Sequence, residues 1–140
     1  MPRVGLDLPE RFPFKTEIDV RPMDVDRSGR LNLQSLLMLM NEARIKFYRS
    51  MGYRDGNVEG ADTVLADAVL ICEEHVSAGD ILVFEITAGS FSRTCCDLYC
   101  RVTSARTVTE VARAKTAIEF IDPCTRMPVA VPERFGNRFV

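Results

Sequence analysis

The chain has 140 residues, of which 46% are hydrophobic and 27% charged, with a formal net charge of −2. A chain of this length can form one hydrophobic core, so we expect residues 1–140 to be a single domain. The small net charge, without a block of like charge, argues against nucleic acid as a partner. No apolar run approaches the ~20 residues that span a bilayer, and the first residues do not resemble a signal peptide. We therefore expect a soluble, cytoplasmic protein without a membrane partner.

The cysteines and the single histidine do not form the pattern of a metal site. There are five cysteines and one histidine, His75. The paired C-x-x-C spacing typical of structural zinc sites is absent from the sequence. Reduced cysteines behave as small hydrophobic residues, so we predict buried thiols. No metal and no cofactor are expected.

The first predicted element is a strand that follows an irregular, proline-containing segment over residues 1–13. From Phe14 to Arg21 apolar and charged residues alternate. This period of two is the pattern of a half-buried strand. Pro22 is expected to end or bend it, because proline cannot donate a backbone hydrogen bond to a sheet.

A long helix is predicted next, over residues 33–51. Asn32 is a suitable N-cap, and Gly52 is suited to the position after the last turn. The first half of this segment is apolar on nearly all sides. A helix with this pattern is expected to be enclosed by the rest of the protein.

Four further strands are predicted after a loop over residues 53–62. Their expected ranges are 63–76, 81–88, 91–103 and 109–122, followed by coil with a last turn at 133–138. One helix and five antiparallel strands indicate an α+β fold in which the sheet wraps around one long central helix. The outer face of this sheet is partly apolar, so we expect a second copy of the chain to cover it.

The stretch MDVDRSGRLN places Asp24 and Asp26 directly before the predicted helix. If the strand alternation continues past Pro22, both carboxylates face inward, where charge is costly unless it is used or paired. The alternative is a turn in which the aspartates accept hydrogen bonds from nearby backbone groups. A helix N-terminus stabilises anions, so a carboxylate facing a carbonyl that is polarised there could transfer an acyl group without a serine or a metal.

The run VRPMDVDRSGRLNLQSLLMLMNEARIKFYRSMGY resembles the 4-hydroxybenzoyl-CoA thioesterase-like branch of the hotdog-fold superfamily. The shared features are an aspartate pair in a D-x-D-x-x-G context, an asparagine shortly after it, and an E-x-A-R-type helix that ends in glycine. HVSAGD, SFSRT and AKTAIEFID resemble the later strands of the family. The resemblance extends over about residues 14–132 and implies the hotdog fold, a five-stranded antiparallel sheet around one helix.

The resemblance also implies a function, because most members of this branch hydrolyse acyl-CoA thioesters. The second aspartate, here Asp26, would act as nucleophile or general base. Backbone N–H groups at the helix start, those of Asn32 or Leu33, would polarise the thioester carbonyl, with Asp24 as structural or electrostatic support. Such sites form between paired subunits, so a homodimer or homotetramer is expected.

Substrate-binding positions follow from the same resemblance. Arg93 is the position expected to meet the CoA phosphates, with Ser92 and Thr94 as weaker neighbours. Arg30 stands where many relatives carry histidine, and it could hold a carboxylate or phosphate or point to water. Two alternatives remain open: a non-catalytic hotdog protein that binds acyl-CoA or a small metabolite, and a hotdog dehydratase. The dehydratase is less favoured because its Asp–His partnership has no good counterpart when His75 is the only histidine.

Overall fold

The computed structural model describes residues 4–140, which form one antiparallel sheet and one long helix. The strands run in the order β1-β4-β5-β6-β3-β2 across a sheet of six strands. The elements are β1 (Phe14–Asp19), α1 (Leu33–Ser50), β2 (Asn57–Val58), β3 (Ala61–Cys72), β4 (Ile81–Gly89), β5 (Cys95–Ser104), β6 (Glu110–Ile121) and α2 (Glu133–Gly136). Short 3-10 turns lie at Pro22–Asp24 and Asn137–Phe139.

The sheet confirms the predicted α+β hotdog architecture. Every second residue of β5, from Cys96 to Ser104, is buried, as a strand with one face on the core requires. The sequence did not predict β2, whose Asn57 and Val58 pair with Asp62 and Ala61. Two residues are too few to show a period-two pattern, so the sequence predicts a loop here.

Helix α1 begins at the predicted residue and ends at Ser50, one residue before the predicted end, but it is not enclosed within one chain. The side-chain oxygen of Asn32 accepts from the backbone N–H of Gln34 at 2.9 Å, and Gly52 after the last turn has φ +89°. The side chains of Leu33, Met38 and Ile45 are 50%, 63% and 45% exposed. The prediction of full enclosure is therefore wrong for a single chain, because the sheet covers only one side of the helix.

The segment before β1 lies against the outer face of the sheet. The Arg113 guanidinium donates to the Leu6 carbonyl at 2.8 Å, and the Arg101 guanidinium lies 4.8 Å from the centre of the Phe12 ring. Arg101 and Arg113 are opposite each other on β5 and β6. Part of the face that we expected a second copy to cover is thus covered by the chain's own lead-in segment.

The cysteines are free thiols, and three of them, Cys72, Cys96 and Cys100, are buried. Burial raises the pKa of Cys96 to about 12, so this thiol stays protonated. Cys124 is exposed, which differs from the prediction for that residue. Within residues 4–140 no three His, Cys, Asp or Glu side chains are grouped closely enough to hold a metal ion. Over the same range, no helix combines the length and the apolar character needed to cross a bilayer.

Candidate active site

The loop between β1 and α1 carries both aspartates in a tight hairpin. The Asp26 N–H donates to the Arg30 carbonyl at 2.9 Å, and the Gly29 N–H donates to the Asp26 carbonyl at 3.0 Å. Gly29 has φ +81°, a conformation that glycine adopts at little cost. The hairpin is closed by a bridge between Val25 and Leu31. Backbone hydrogen bonds therefore fix the positions of both carboxylates relative to the helix start.

Asp24 is buried, with 2% of its surface exposed, and it holds the loop together. Its carboxylate accepts from the Arg21 backbone N–H at 2.9 Å and from the Arg21 guanidinium at 3.2 Å. Its backbone carbonyl accepts the Asn32 N–H at 2.8 Å. These contacts occupy Asp24 within the fold, which agrees with a supporting role and leaves its carboxylate little opportunity to contact a substrate.

Asp26 is exposed, in contrast to the inward orientation that strand alternation suggested. The 3-10 turn at Pro22–Asp24 ends the alternation, so the two aspartates no longer share a face. One oxygen of Asp26, Oδ1, accepts from the Ser28 hydroxyl at 2.6 Å, the Ser28 N–H at 2.9 Å and the Arg30 N–H at 3.0 Å. This is the turn geometry that the sequence left open as the alternative.

The environment of Asp26 keeps its carboxyl group ionised. The hydrogen bond from the Ser28 hydroxyl, followed by that from the Arg30 N–H, lowers the pKa of Asp26 below its usual value. The second oxygen, Oδ2, accepts no hydrogen bond from any residue between 4 and 140. Asp26 thus presents a charged oxygen with a defined orientation and no competing donor.

The backbone N–H groups at the start of α1 differ in whether they already donate a hydrogen bond. The side chain of Asn32 accepts from the N–H groups of Gln34 and Ser35. The Asn32 N–H is donated to Asp24, so it is not free to polarise a substrate carbonyl, and the expectation for that amide is corrected. Among the described residues no acceptor faces the Leu33 N–H. Of the two N–H groups, that of Leu33 is therefore the one that could polarise a substrate carbonyl.

The structure also brings the end of β3 to this loop, which the sequence did not indicate. Arg30 pairs through its backbone with His75, and the Val76 N–H donates to the Gly29 carbonyl at 3.0 Å. Burial raises the pKa of the Cys72 thiol, and the nearby positive charge of Arg30 partly offsets this rise. Cys72 and His75 are more than forty positions along the chain from Arg30, so no local pattern could reveal this contact.

The three other predicted substrate-binding residues, Ser92, Arg93 and Thr94, lie in the turn between β4 and β5 rather than in a strand. This turn is at the far end of the sheet, because Asp19 at the end of β1 pairs with Ile81 at the start of β4. The nine residues of β4 separate the two ends by about 30 Å at 3.3 Å per residue. One chain alone therefore does not bring Arg93 to Asp26.

The family of the chain is shown by its sequence. The family model of the thioesterase-like superfamily matches residues 20–139, which is most of the chain. The chain belongs to the thioesterase-like superfamily. This confirms the resemblance inferred from the aspartate motif, and it supports thioester hydrolysis as the class of reaction. No curated protein sequence matches the chain significantly.

Solved structures of thioesterases share the fold of this superfamily member. A 1,4-dihydroxy-2-naphthoyl-CoA thioesterase from Synechocystis is 21% identical, with TM-score 0.77 over 89% of this chain and 93% of that one. A thioesterase from Thermus thermophilus, complexed with coenzyme A and Zn, is 20% identical, with TM-score 0.74 over 94% and 95%. The 12:0-ACP thioesterase from Umbellularia californica is 17% identical, with TM-score 0.77 over 91% and 50%. At these identities the likeness shows the shared fold.

Proposed function

We propose that this protein is an acyl-CoA thioesterase and that Asp26 is its reactive group. The observation that carries the proposal is the state of the Asp26 carboxylate, ionised and held by three hydrogen bonds on Oδ1 while Oδ2 is free. Asp26 lies on the loop that leads into α1, where the Leu33 N–H has no acceptor among the described residues. Membership of the thioesterase-like superfamily supports the same reaction class.

In the proposed reaction, the thioester carbonyl oxygen accepts the Leu33 N–H at the positive end of α1. Negative charge that develops on this oxygen is stabilised there by the amide and by the helix dipole. Oδ2 of Asp26 either attacks the carbonyl carbon or removes a proton from the water that does so. The carbon–sulfur bond breaks, the CoA thiolate leaves and takes up a proton, and the acid is released directly or by hydrolysis of the acyl-Asp26 intermediate.

We further propose that the complete site forms between two copies of the chain. Beyond its short pairing with β2, β3 is bonded on one side only, by β6, and Leu33, Met38 and Ile45 expose apolar surface on α1. Antiparallel pairing of two β3 strands would cover this surface. It would also bring the Ser92–Thr94 turn of one copy toward the Asp26 loop of the other, where Arg93 could meet the CoA phosphates.

Arg30 is proposed to bind an anionic part of the substrate. Its side chain is exposed and makes no ion pair with a carboxylate in residues 4–140. Its backbone N–H is fixed on Asp26, so the guanidinium starts from a defined position beside the reactive group. A carboxylate on the acyl group or a CoA phosphate would complement this charge.

The decisive experiment measures thiol release from a panel of short, long and aromatic acyl-CoAs by wild type and Asp26→Asn. The variant should fold and lose at least ~100-fold in turnover, the usual effect of removing a catalytic group. Asp122→Asn is the matched control, because Asp122 is also an aspartate with a lowered pKa that accepts backbone N–H groups, at 2.8 and 2.9 Å. Unchanged hydrolysis by Asp26→Asn would show that Asp26 is not the reactive group.

The same panel tests the non-catalytic alternative. A binding protein would be stabilised against heat by CoA or acyl-CoA and would release no thiol from any substrate over hours. A companion assay with acyl groups on acyl carrier protein tests the CoA part of the proposal. Hydrolysis of only the carrier-protein substrates would support thioester hydrolysis but contradict CoA specificity.

A further inference from the structure

The backbone of Arg30 lies between Asp26 and His75. On one side, the Arg30 N–H donates to Oδ1 of Asp26 at 3.0 Å, and the Arg30 carbonyl accepts the Asp26 N–H at 2.9 Å. On the other side, Arg30 forms an antiparallel bridge with His75, in the segment after β3. This row of three residues brings the single histidine of the chain to the candidate active site.

The side chains of Arg30 and His75 begin next to each other. The Val76 N–H donates to the Gly29 carbonyl at 3.0 Å, so the residues that flank the pair carry the hydrogen bond. In an antiparallel bridge of this kind, the two opposite Cα atoms are about 4.5 Å apart. Side chains that are directly opposite each other also lie on the same face. The imidazole of His75 and the guanidinium of Arg30 can therefore contact one ligand together.

Both side chains are available to a ligand. Arg30 and His75 are exposed, and neither has a carboxylate within ion-pair distance in residues 4–140. This holds although Glu73 and Glu74 directly precede His75 and Asp26 is bonded to the Arg30 backbone. A guanidinium and a histidine ring both donate N–H groups, and a carboxylate accepts several at once. The pair is therefore suited to an anionic group.

The position of the pair relative to Asp26 indicates which anion it meets. Asp26 is the group proposed to act at the thioester carbonyl, and the Arg30 N–H is bonded to the same carboxylate. In an acyl-CoA the phosphates are separated from this carbonyl by the whole pantetheine arm. The carbon atoms of the acyl group, in contrast, follow the carbonyl directly. A negative charge beside Arg30 and His75 thus belongs to a short acyl group rather than to a phosphate.

We propose that Arg30 and His75 together bind a carboxylate at the end of a short acyl group, so that the protein hydrolyses dicarboxylic acyl-CoAs in preference to neutral ones of equal length. The inference rests on the proposed hydrolysis at Asp26 and adds His75 as a residue that determines specificity. Arg30 supplies a full charge and paired N–H donors, and His75 supplies a ring N–H from the adjacent position. An uncharged acyl chain gains nothing from either donor.

Hydrolysis of glutaryl-CoA and pentanoyl-CoA tests this preference, because their acyl chains have equal length and only the first ends in a carboxylate. Wild type should have the higher kcat/KM with glutaryl-CoA. His75→Ala should lower that value about tenfold, the usual effect of losing one hydrogen bond to a charged group, and leave the value for pentanoyl-CoA unchanged. The bridge is formed by the backbone, so this variant should keep the melting temperature of wild type.

Lys15→Gln is the matched control for the loss of a positive charge. Lys15 is exposed on β1, where it lies opposite Glu85, and it is not part of the Asp26 loop. Its replacement should change kcat/KM with neither substrate. An equal effect of Lys15→Gln and His75→Ala on glutaryl-CoA would mean that net charge, rather than the His75 position, sets the preference, and this would overturn the proposal.

NMR of the histidine ring measures binding without hydrolysis. Because the chain has one histidine, its imidazole gives one identifiable set of signals. In Asp26→Asn these signals should move when glutaryl-CoA is added and stay in place with pentanoyl-CoA or with CoA alone. Movement with CoA alone would assign the pair to a phosphate, and no movement with any of the three ligands would mean that His75 meets no part of the substrate; both results would overturn the proposal.

The two assays separate this proposal from the proposed function. If wild type hydrolyses both substrates equally well, thioester hydrolysis stands and the carboxylate preference is wrong. If no substrate releases thiol but the His75 signals move with glutaryl-CoA alone, hydrolysis is wrong and the carboxylate site stands. An equal loss of activity with both substrates in His75→Ala would show a general role for His75 and overturn its role in specificity.

Discussion

The backbone N–H of Asn32 donates to the carbonyl oxygen of Asp24, with 2.8 Å between nitrogen and oxygen. This bond joins the buried aspartate of the loop to the N-cap of α1, and it occupies the backbone N–H of Asn32. The next amide, that of Leu33, has no acceptor within the described chain. Asp24 thus determines which N–H group is available at the helix start.

Replacing Asp24 should destabilise the fold. In Asp24→Ala the Arg21 N–H loses its charged acceptor, and we expect a loss of about 2 kcal/mol in the free energy of unfolding, as for other hydrogen bonds to a charged group. Asp24→Asn keeps an acceptor oxygen and should lose less. Urea denaturation of the variants measures both effects. Equal stability of Asp24→Ala and wild type would show that the loop does not depend on this carboxylate.

The Ser28 hydroxyl should set the acid limit of activity. It makes the largest contribution to the lowered pKa of Asp26, so Ser28→Ala should move that pKa upward toward its ordinary value. The acid limb of the pH profile of kcat/KM should shift to higher pH in the variant, because it reports ionisation in the free enzyme. An unmoved limb would mean that Asp26 is not the group whose ionisation controls the reaction.

The same shift predicts how stability depends on pH. Since folding lowers the pKa of Asp26, its carboxylate stabilises the native state above the ordinary aspartate pKa. This contribution is lost as the pH falls through the lowered value. Ser28→Ala should therefore melt at a lower temperature than wild type near neutral pH. The part of this difference that comes from Asp26 should vanish under strongly acidic conditions.

Asn32 should act through the helix rather than through its own amide. Asn32→Ala removes the oxygen that accepts from Gln34 and Ser35, which should cost about 1 kcal/mol of stability, as for other N-caps, and lower turnover by loosening Leu33. Asn32→Ser retains a capping oxygen and should restore most of both. Denaturation and thiol-release assays on the pair check this. Full activity in Asn32→Ala would show that catalysis does not depend on this N-cap.

Association of two copies should depend on the exposed side of α1. Met38 and Met127 are both 63% exposed, but only Met38 lies on α1, two helical turns before the exposed Ile45. Met38→Glu should shift the particle toward the monomer and reduce turnover, since the proposed site needs both copies. Met127→Glu should leave the size unchanged. Multi-angle light scattering measures the mass of each variant, and identical masses would contradict the proposed interface.

Much of the fold could be predicted because its signals are local. Asn32 and Gly52 bracket α1, since caps satisfy the backbone groups that every helix end exposes. Alternating apolar residues predicted β1, β4 and β6 to within a few positions, because a strand with one buried face requires that period. The Asp-x-Asp motif before the helix also indicated a functional loop, which backbone hydrogen bonds close tightly.

Only the tertiary structure distinguished the two aspartates. Asp24 and Asp26 have the same side chain and nearly the same position in sequence, yet the 3-10 turn at Pro22–Asp24 buries the first and exposes the second. The tertiary structure also pairs the backbone N–H of Asn32 with the Asp24 carbonyl, and it places Arg93 at the far end of the sheet. The turn and the Asn32 bond are local, but no pattern of apolar and charged residues reveals them. The place of Arg93 depends on the pairing of strands that are distant in sequence, which only the complete sheet determines.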